Sequence, residues 1–212
     1  MTRAFKRFIE GVAGEKAPGP SATFSVAHIF HALELIAEKP IGRNKLAEKL
    51  DVGDGAIRTI ISHLKDAGLI DTSKAGCTLT SKGASAWKKF EALFPKRGEI
   101  EKTDLTTTEH NYAFLVKNAG HKIKSGIEQR DAAIVAGAKR AVVIVAKNGH
   151  LMIESVSDDI EKEFSEATSK ILKVVQPEDN DVIVIAGASD IRKAKHAAFA
   201  ASWALSNGDS KK

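Results

Sequence analysis

Apolar residues recur at helical spacing through most of the first ninety positions. In "SVAHIFHALELIAEK", Val26, Ile29, Phe30, Leu33, Ile36 and Ala37 share one face and Ser25 stands where an N-cap belongs, so the spacing predicts a buried supporting helix. "RNKLAEKL" follows with Leu46, Ala47 and Leu50 on one side, and "DVGDG" stops it with residues suited to a tight turn and a new helix start. The next run, "AIRTIISHLKDAG", places Ile57, Ile60, Ile61 and Leu64 on its apolar face and ends at Gly68, a natural C-cap. Its other face carries Arg58, Thr59, Ser62, His63 and Lys65. The period then shortens to two. "LIDTSKAGCTLTSKG" holds two β-prone runs, Leu69 to Thr72 and Cys77 to Thr80, around a glycine-containing turn, and predicts a hairpin before the closing helix "SKGASAWKKFEALF".

Beyond Pro95 the segment "PKRGEIEKTDLTTTEH" has no apolar periodicity and is rich in Thr and charge. It reads as a linker over residues 98–110, between a first domain at 1–97 and a second at 111–207. The second half runs strand ("NYAFLVKN"), helix ("GIEQRDAAIVAGA"), strand ("RAVVIVAK"), an Asn-Gly turn and strand ("LMIES"), helix ("SDDIEKEFSEATSKILKVV"), strand ("DVIVIAGA") and an Ala-rich terminal helix. That βαββαβ order predicts a ferredoxin-like split unit, a small α/β sandwich with an added terminal helix, and the whole chain is expected to be α+β.

Helices joined by a tight turn, then a hairpin, then a closing helix, are the order of a winged helix-turn-helix. In that arrangement the helix after the turn enters the major groove and the one before it braces the backbone. Arg43, Lys45, Arg58, Thr59, Ser62, His63 and Lys65 are then the candidate phosphate and base contacts, with Lys74 at the hairpin tip reaching a neighbouring phosphate or the minor groove. Asp51, Asp54 and Asp66 flank the same helix and must stay clear of phosphate. Fold does not dictate function, so the alternative is an adaptor whose winged helix binds RNA or a partner protein.

The stretch "IGRNKLAEKLDVGDGAIRTIISHLKDAGLI" resembles the N-terminal winged helix of bacterial sugar-responsive repressors of the SorC type. Across almost the whole chain the sequence is similar to an uncharacterised archaeal family that joins such a domain to a small C-terminal α/β domain, where "GIEQRDAAIVAGA" has its counterpart. The resemblance implies a DNA-binding regulator. It carries over no catalytic or ligand-binding residue.

Charge supports the division. Residues 1–98 hold 16 Lys and Arg against 10 Asp and Glu, a balance of +6, whereas residues 99–212 hold 16 against 17, a balance of −1. The basicity lies where a polyanion would be met, because phosphate neutralisation and counterion release supply much of nucleic-acid affinity. Nothing predicts a membrane protein: no run of about 18 uncharged apolar residues is present, and the basic amphipathic start "MTRAFKRFIEGVAGEKAPGP" lacks the long apolar centre of a secretory signal. The single cysteine, Cys77, precludes an internal disulfide and agrees with the reducing cytoplasm.

Enzyme chemistry finds no support in the motifs. There is no phosphate-binding glycine loop, dinucleotide fingerprint or "HExxH", Cys77 lacks the surroundings of a nucleophile, and His28 and His31 read as a helix surface or a packed pair rather than metal ligands. No cofactor and no metal are expected. In the second domain, Glu128, Gln129, Arg130 and Asp131 crowd the first turn of an otherwise apolar helix, and Gly187, Ser189 and Asp190 form a small-residue loop between a strand and a helix. Arg130 beside that loop would suit a small anionic ligand. Macrodipole pairing and N-capping by Ser189 explain the same residues without a ligand. A homodimer is expected, since two winged helices match palindromic sites, and the apolar faces of "HIFHALELI" and "HAAFAASWALS" are its candidate pairing surfaces.

Overall fold

The helical periodicity of the first ninety residues folds as expected in a computed structural model that describes residues 3–14 and 24–206. Residues 1–2, 15–23 and 207–212, which take in the outer ends of both expected domains and part of the amphipathic N-terminal stretch, lie outside the described residues. The chain divides into two units, residues 1–91 and 92–212. The architecture is α+β: a helical unit with a hairpin, then a unit built on one sheet.

In the first unit α1 (Arg3–Ala13), α2 (Val26–Glu38), α3 (Arg43–Leu50), α4 (Asp54–Asp66) and α5 (Ser81–Leu93) enclose one core, and β1 (Ile70–Ser73) pairs antiparallel with β2 (Gly76–Leu79). Ile9, Ile29, Phe30, Leu33, Leu46, Ile57, Ile60, Leu64 and Phe90 are wholly buried. Each such side chain contributes about 1.5–3 kcal/mol of transfer free energy. Phe90 is the centre of an edge-to-face cluster, 5.3 Å from Phe5 and 5.2 Å from Phe30 between ring centroids. The amphipathic N-terminal run is therefore structural: α1 buries Phe5, Ile9, Val12 and Ala13. Ile41 adds a third, one-residue rung to the hairpin through Ile41 N–H to Cys77 O at 3.2 Å and Cys77 N–H to Ile41 O at 2.8 Å. Gly76 has φ +115° and lies so close to the Ile41 backbone that a Cβ would collide with it, so this rung requires glycine there.

The second unit holds β3 (Arg97–Ile100), β4 (His110–Val116), α6 (Ile127–Val135), β5 (Arg140–Lys147), β6 (His150–Met152), α7 (Ile160–Glu163), α8 (Ser165–Val174), β7 (Val182–Ala188) and α9 (Ile191–Leu205). The sheet order is β3-β4-β7-β5-β6, with all neighbours antiparallel. One face packs Ala113, Leu115, Ile144, Ile183 and Ile185 against Ile160, Ile171 and Val175 of the α7–α8 side. The other face meets α6 and α9 through Phe114, Phe199 and Trp203. Asn148 and Gly149 both have positive φ, 54° and 77°, as the two-residue turn between β5 and β6 requires.

Three expectations need correction. The residues read as a linker begin inside β3, whose Arg97–Ile100 pairs with Phe114–Asn111, and the unit boundary falls earlier, after Glu91. A four-residue edge strand that buries only Ile100 leaves no period to detect. The expected single helix after β6 divides at Phe164, whose φ of −133° and ψ of 54° leave the helical region. The βαββαβ order is present from β4 to β7, but its strands are not arranged as in a ferredoxin-like unit, where the hairpin strand enters the gap between the first two. Here the last strand, β7, enters that gap and β6 takes the edge. All seven residues of β7 are buried, which demands a neighbour on each side, whereas the three residues of β6 begin with exposed His150 and suit an edge.

One histidine ties pH to this fold. At the third position of α2, His28 Nδ1 accepts the Ser25 backbone N–H at 3.1 Å, the part that Glu or Gln takes in a capping box. Burial pushes the His28 imidazole below its ordinary pKa. The unfolded chain then binds the extra proton more readily, so this contribution is complete above the ordinary histidine range and is lost as pH falls through that range toward the folded-state value. Melting of the first unit should decline from about pH 8 to about pH 5. In His28→Gln, which keeps the acceptor without titrating, the decline should be smaller; an identical pH profile would contradict the assignment.

Candidate functional site

The second helix of the turn, α4, is anchored by Ile57, Ile60 and Leu64, none more than 1 % exposed. Its C-terminus closes in a Schellman arrangement, Leu69 N–H to Leu64 O at 2.8 Å and Gly68 N–H to Lys65 O at 2.7 Å, with Gly68 at φ +68°. Lys82 adds a bond to Ala67 O at 2.7 Å. A helix held on one face and at its end presents its other face in a fixed direction. That face holds Arg58, Thr59, Ser62 and Lys65, all exposed, and Ile61 is only partly covered. Arg43 and Lys45 lie exposed on α3, and Lys74 is exposed in the tight turn between β1 and β2, where Ala75 N–H bonds Ser73 Oγ at 3.1 Å.

Several of these side chains are already engaged. Asp54 sits between two arginines: its Oδ2 is 2.6 Å from Arg58 Nη2 and its Oδ1 is 3.7 Å from Arg43 Nε. Lys45 Nζ donates to both carboxylate oxygens of Glu48 at 3.0 and 3.1 Å, holding the Glu48 carboxyl below the usual range. Ser62 Oγ donates to Asp66 Oδ2 at 3.3 Å, and Thr59 Oγ1 donates back to Gly55 O at 3.1 Å. Exposed pairs of this kind are worth about 0–1 kcal/mol each, so phosphate can displace them. Lys65 and Lys74 have no such partner among the described residues, which makes them the cations nearest to readiness.

His63 belongs elsewhere. Its ring Nδ1 is 2.8 Å from Val12 O and donates to it, and the ring stands edge-on to Phe24 at 5.6 Å. It ties α4 to α1 instead of facing outward, and no sequence signal near His63 marks a partner fifty-one residues away. The restraint of Arg43 by Asp54 was also hidden, although the spacing from Asp54 to Arg58 could have revealed the other half of that bridge. Cys77 is buried, and burial pushes its thiol up from the ordinary value, which suits packing rather than nucleophilic chemistry.

The expected anion site in the second unit does not assemble. Gly187 lies inside β7, between Asn111 and Arg140, with Thr108 Oγ1 and Asn111 Oδ1 in the space a side chain would need. Asp190, not Ser189, is the N-cap of α9: its Oδ1 accepts the Lys193 N–H at 3.0 Å, which with the Lys193 ammonium and the Ser189 hydroxyl lowers its pKa. Ser189 Oγ donates to Asp190 Oδ2 at 3.2 Å. Gln129 is buried, whereas Glu128, Arg130 and Asp131 are exposed and Arg130 Nη2 is 3.6 Å from Asp131 Oδ1. Arg130 does line a cavity of about 250 Å³, but with Gly126, Val142 and Glu154, not with residues 187–190. The two expected pairing faces are also occupied: Ile29, Phe30, Leu33 and Ile36, and Ala197, Ala198, Phe199 and Trp203, are buried in their own units.

Comparison with known proteins agrees with this division. Residues 27–94 match the CggR N-terminal DNA binding domain. Residues 107–205 match a domain of unknown function, DUF4443. A solved structure of a hypothetical protein from Pyrococcus horikoshii OT3 is similar at 28% identity and a TM-score of 0.69, covering 86% of this chain and 92% of that one. No curated protein matches. The resemblance to an archaeal two-domain family and to repressor winged helices thus stands, and the N-terminal unit is similar to a DNA-binding domain.

Asp54→Asn frees Arg43 and Arg58 and removes a negative charge from the exposed face, so duplex affinity should rise about threefold to tenfold at low salt and less at high salt. Unchanged affinity in a fluorescence-anisotropy titration would mean that neither arginine meets DNA. Gly187→Ala should destabilise the second unit by about 1–3 kcal/mol or more, because the new methyl overlaps Thr108. A denaturant midpoint equal to that of the parent protein would contradict that packing.

Proposed function

We propose that this chain is a non-enzymatic transcriptional regulator of the cytoplasm, whose winged helix binds double-stranded DNA and whose second unit pairs two chains or responds to a small molecule. The observation that carries the reading is the anchored α4, whose exposed polar face lies within a region similar to a DNA-binding domain. An α-helix fits the major groove, where Arg58, Thr59, Ser62 and Lys65 would reach base edges and phosphates. Arg43 and Lys45 on α3 and Lys74 on the hairpin would hold the flanking backbone. Asp51, Asp54 and Asp66 limit the net charge of this face, so affinity would depend on local fit more than on bulk attraction.

Two copies would double the contact set. Since the helix faces expected to pair are buried, we place pairing on the outer side of α6, where Ile134 is 45% and Val135 90% exposed. Among the described residues no helix is long and apolar enough to cross a membrane, in keeping with a DNA-facing role.

Lys65→Ala should weaken binding of mixed-sequence duplex and reduce the slope of log affinity against log salt by about one, with circular dichroism and melting unchanged. Affinity unchanged from the parent in both Lys65→Ala and Arg58→Ala, or preference for RNA over duplex, would transfer the reading to an RNA or protein adaptor. Val135→Glu should shift the chain toward monomer in light scattering at roughly tens of micromolar; an unaltered mass would remove α6 as the pairing surface.

A further inference from the structure

The cavity beside Arg130 lies where the sheet is unfinished. β5 pairs with β7 from Arg140 to Val145, but β6 covers its other side only from Val145 onward. In an antiparallel ladder the backbone groups of successive residues point to alternate sides. Ala146 N–H bonds Asp181 O, so in the same register Val142 and Ile144 face β7 while Ala141 and Val143 direct their N–H and C=O groups to the open edge. No other bond to those groups is made among the described residues. The cavity sits on this edge, walled by the start of α6 at Gly126 to Arg130 and by the turn at Ile153 to Val156.

Its chemistry has three parts. The floor is aliphatic: Leu105, Val142, Val143 and Ile153. The lining also includes Arg130, whose acidic partner is its own neighbour, Asp131, at 3.6 Å. It includes Glu154 too, which is half-buried and has no cation partner among the described residues. Beside Glu154, Ser155 is held at φ +62°, a left-handed conformation that a residue other than glycine adopts at a cost of about 1 kcal/mol or more. At the rim Ile127 is 50% and Val156 71% exposed, apolar surface that an occupant would shield.

We propose that this cavity binds a free aliphatic α-amino acid. The carboxylate would take Arg130, the ammonium Glu154 and the edge carbonyls of β5, and the branched side chain the aliphatic floor. A zwitterion needs a cation, an anion and apolar surface in one small space, and each alone would suit a different ligand. The volume of about 250 Å³ equals roughly eight waters at ~30 Å³ each, the size of leucine or isoleucine. A peptide strand is a poorer fit, because the edge is open only at Ala141 and Val143 before β6 closes it. This deepens the regulator reading by naming the ligand class that the second unit would sense, and rests on that reading only for its consequence on DNA.

The test is a thermal-shift and calorimetric titration of the full chain with L-leucine up to about 10 mM, well above a Kd that would regulate at metabolite concentrations. Leucine should raise the melting temperature and bind at one site per chain. 4-Methylpentanoate, lacking the ammonium, and isoamylamine, lacking the carboxylate, should bind at least roughly tenfold more weakly, as should Arg130→Gln and Glu154→Gln with leucine. Both side chains are solvent-accessible, so the ligand-free variants should melt with the parent. The proposal is overturned by no response to leucine or isoleucine, by equal binding of 4-methylpentanoate, by full binding in both variants, or by response to an extended tripeptide and not to the amino acid. Duplex affinity measured on the same samples separates the two readings. Ligand failure with intact DNA binding overturns this site alone, and DNA failure with an intact ligand response overturns the regulator alone.

Discussion

Three buried side chains, Ile57, Ile60 and Leu64, set the direction of everything the first unit offers to a partner. A thirteen-residue helix is marginal by itself in water, and its polar face has a defined position only because its apolar face is locked into a core. The core in turn is completed by α1, α2 and the Phe5, Phe30 and Phe90 cluster. His63 and Lys82 act on the same helix from outside that core, one tying it to Val12 and the other closing its C-terminus. Side chains that look like surface chemistry on a helical wheel are thus partly the means by which the surface is held still.

The exposed face has a second layer of control. Arg43, Arg58 and Lys45 are each matched by a carboxylate, and Ser62 by another, so this is not a uniformly basic surface. Such pairs orient long side chains at low cost and are readily exchanged for phosphate. In the proposed function they would also disfavour loose electrostatic adhesion, since each exchange would release a carboxylate near the backbone of the nucleic acid. A modest positive balance with paired cations is better suited to discriminating between sites than to coating DNA.

What could be read from the sequence tracks how strongly each residue's environment is local. The spacing of Ile29, Phe30 and Leu33, the Gly68 terminus and the Asn148-Gly149 turn each express a rule that operates within one turn of chain, and all are found as read. β3 was illegible because its pairing partner lies at the far end of the loop and only Ile100 is buried. The place of β7 was legible only in hindsight: its unbroken apolar run required the centre of the sheet, whereas chain order alone suggested another neighbour. In the candidate sites, Arg58 and Lys65 could be placed by periodicity, but His63 could not, because the Val12 carbonyl that claims it belongs to a distant helix. Gly187 and Arg130 were joined by residue type alone. A glycine can be present to admit a ligand or to admit Thr108, and only the fold distinguishes these.

In the proposed function α4, α3 and the β1–β2 turn form one DNA-binding surface. Backbone amide chemical shifts of the full chain, titrated with a mixed-sequence duplex, test it most directly. A DNA-binding surface there gives salt-sensitive shifts clustered at Arg43 to Lys45, Arg58 to Lys65 and Lys74, with β4 and β7 in the second unit unmoved. Shifts absent from α4, or concentrated elsewhere while α4 stays silent, would contradict it.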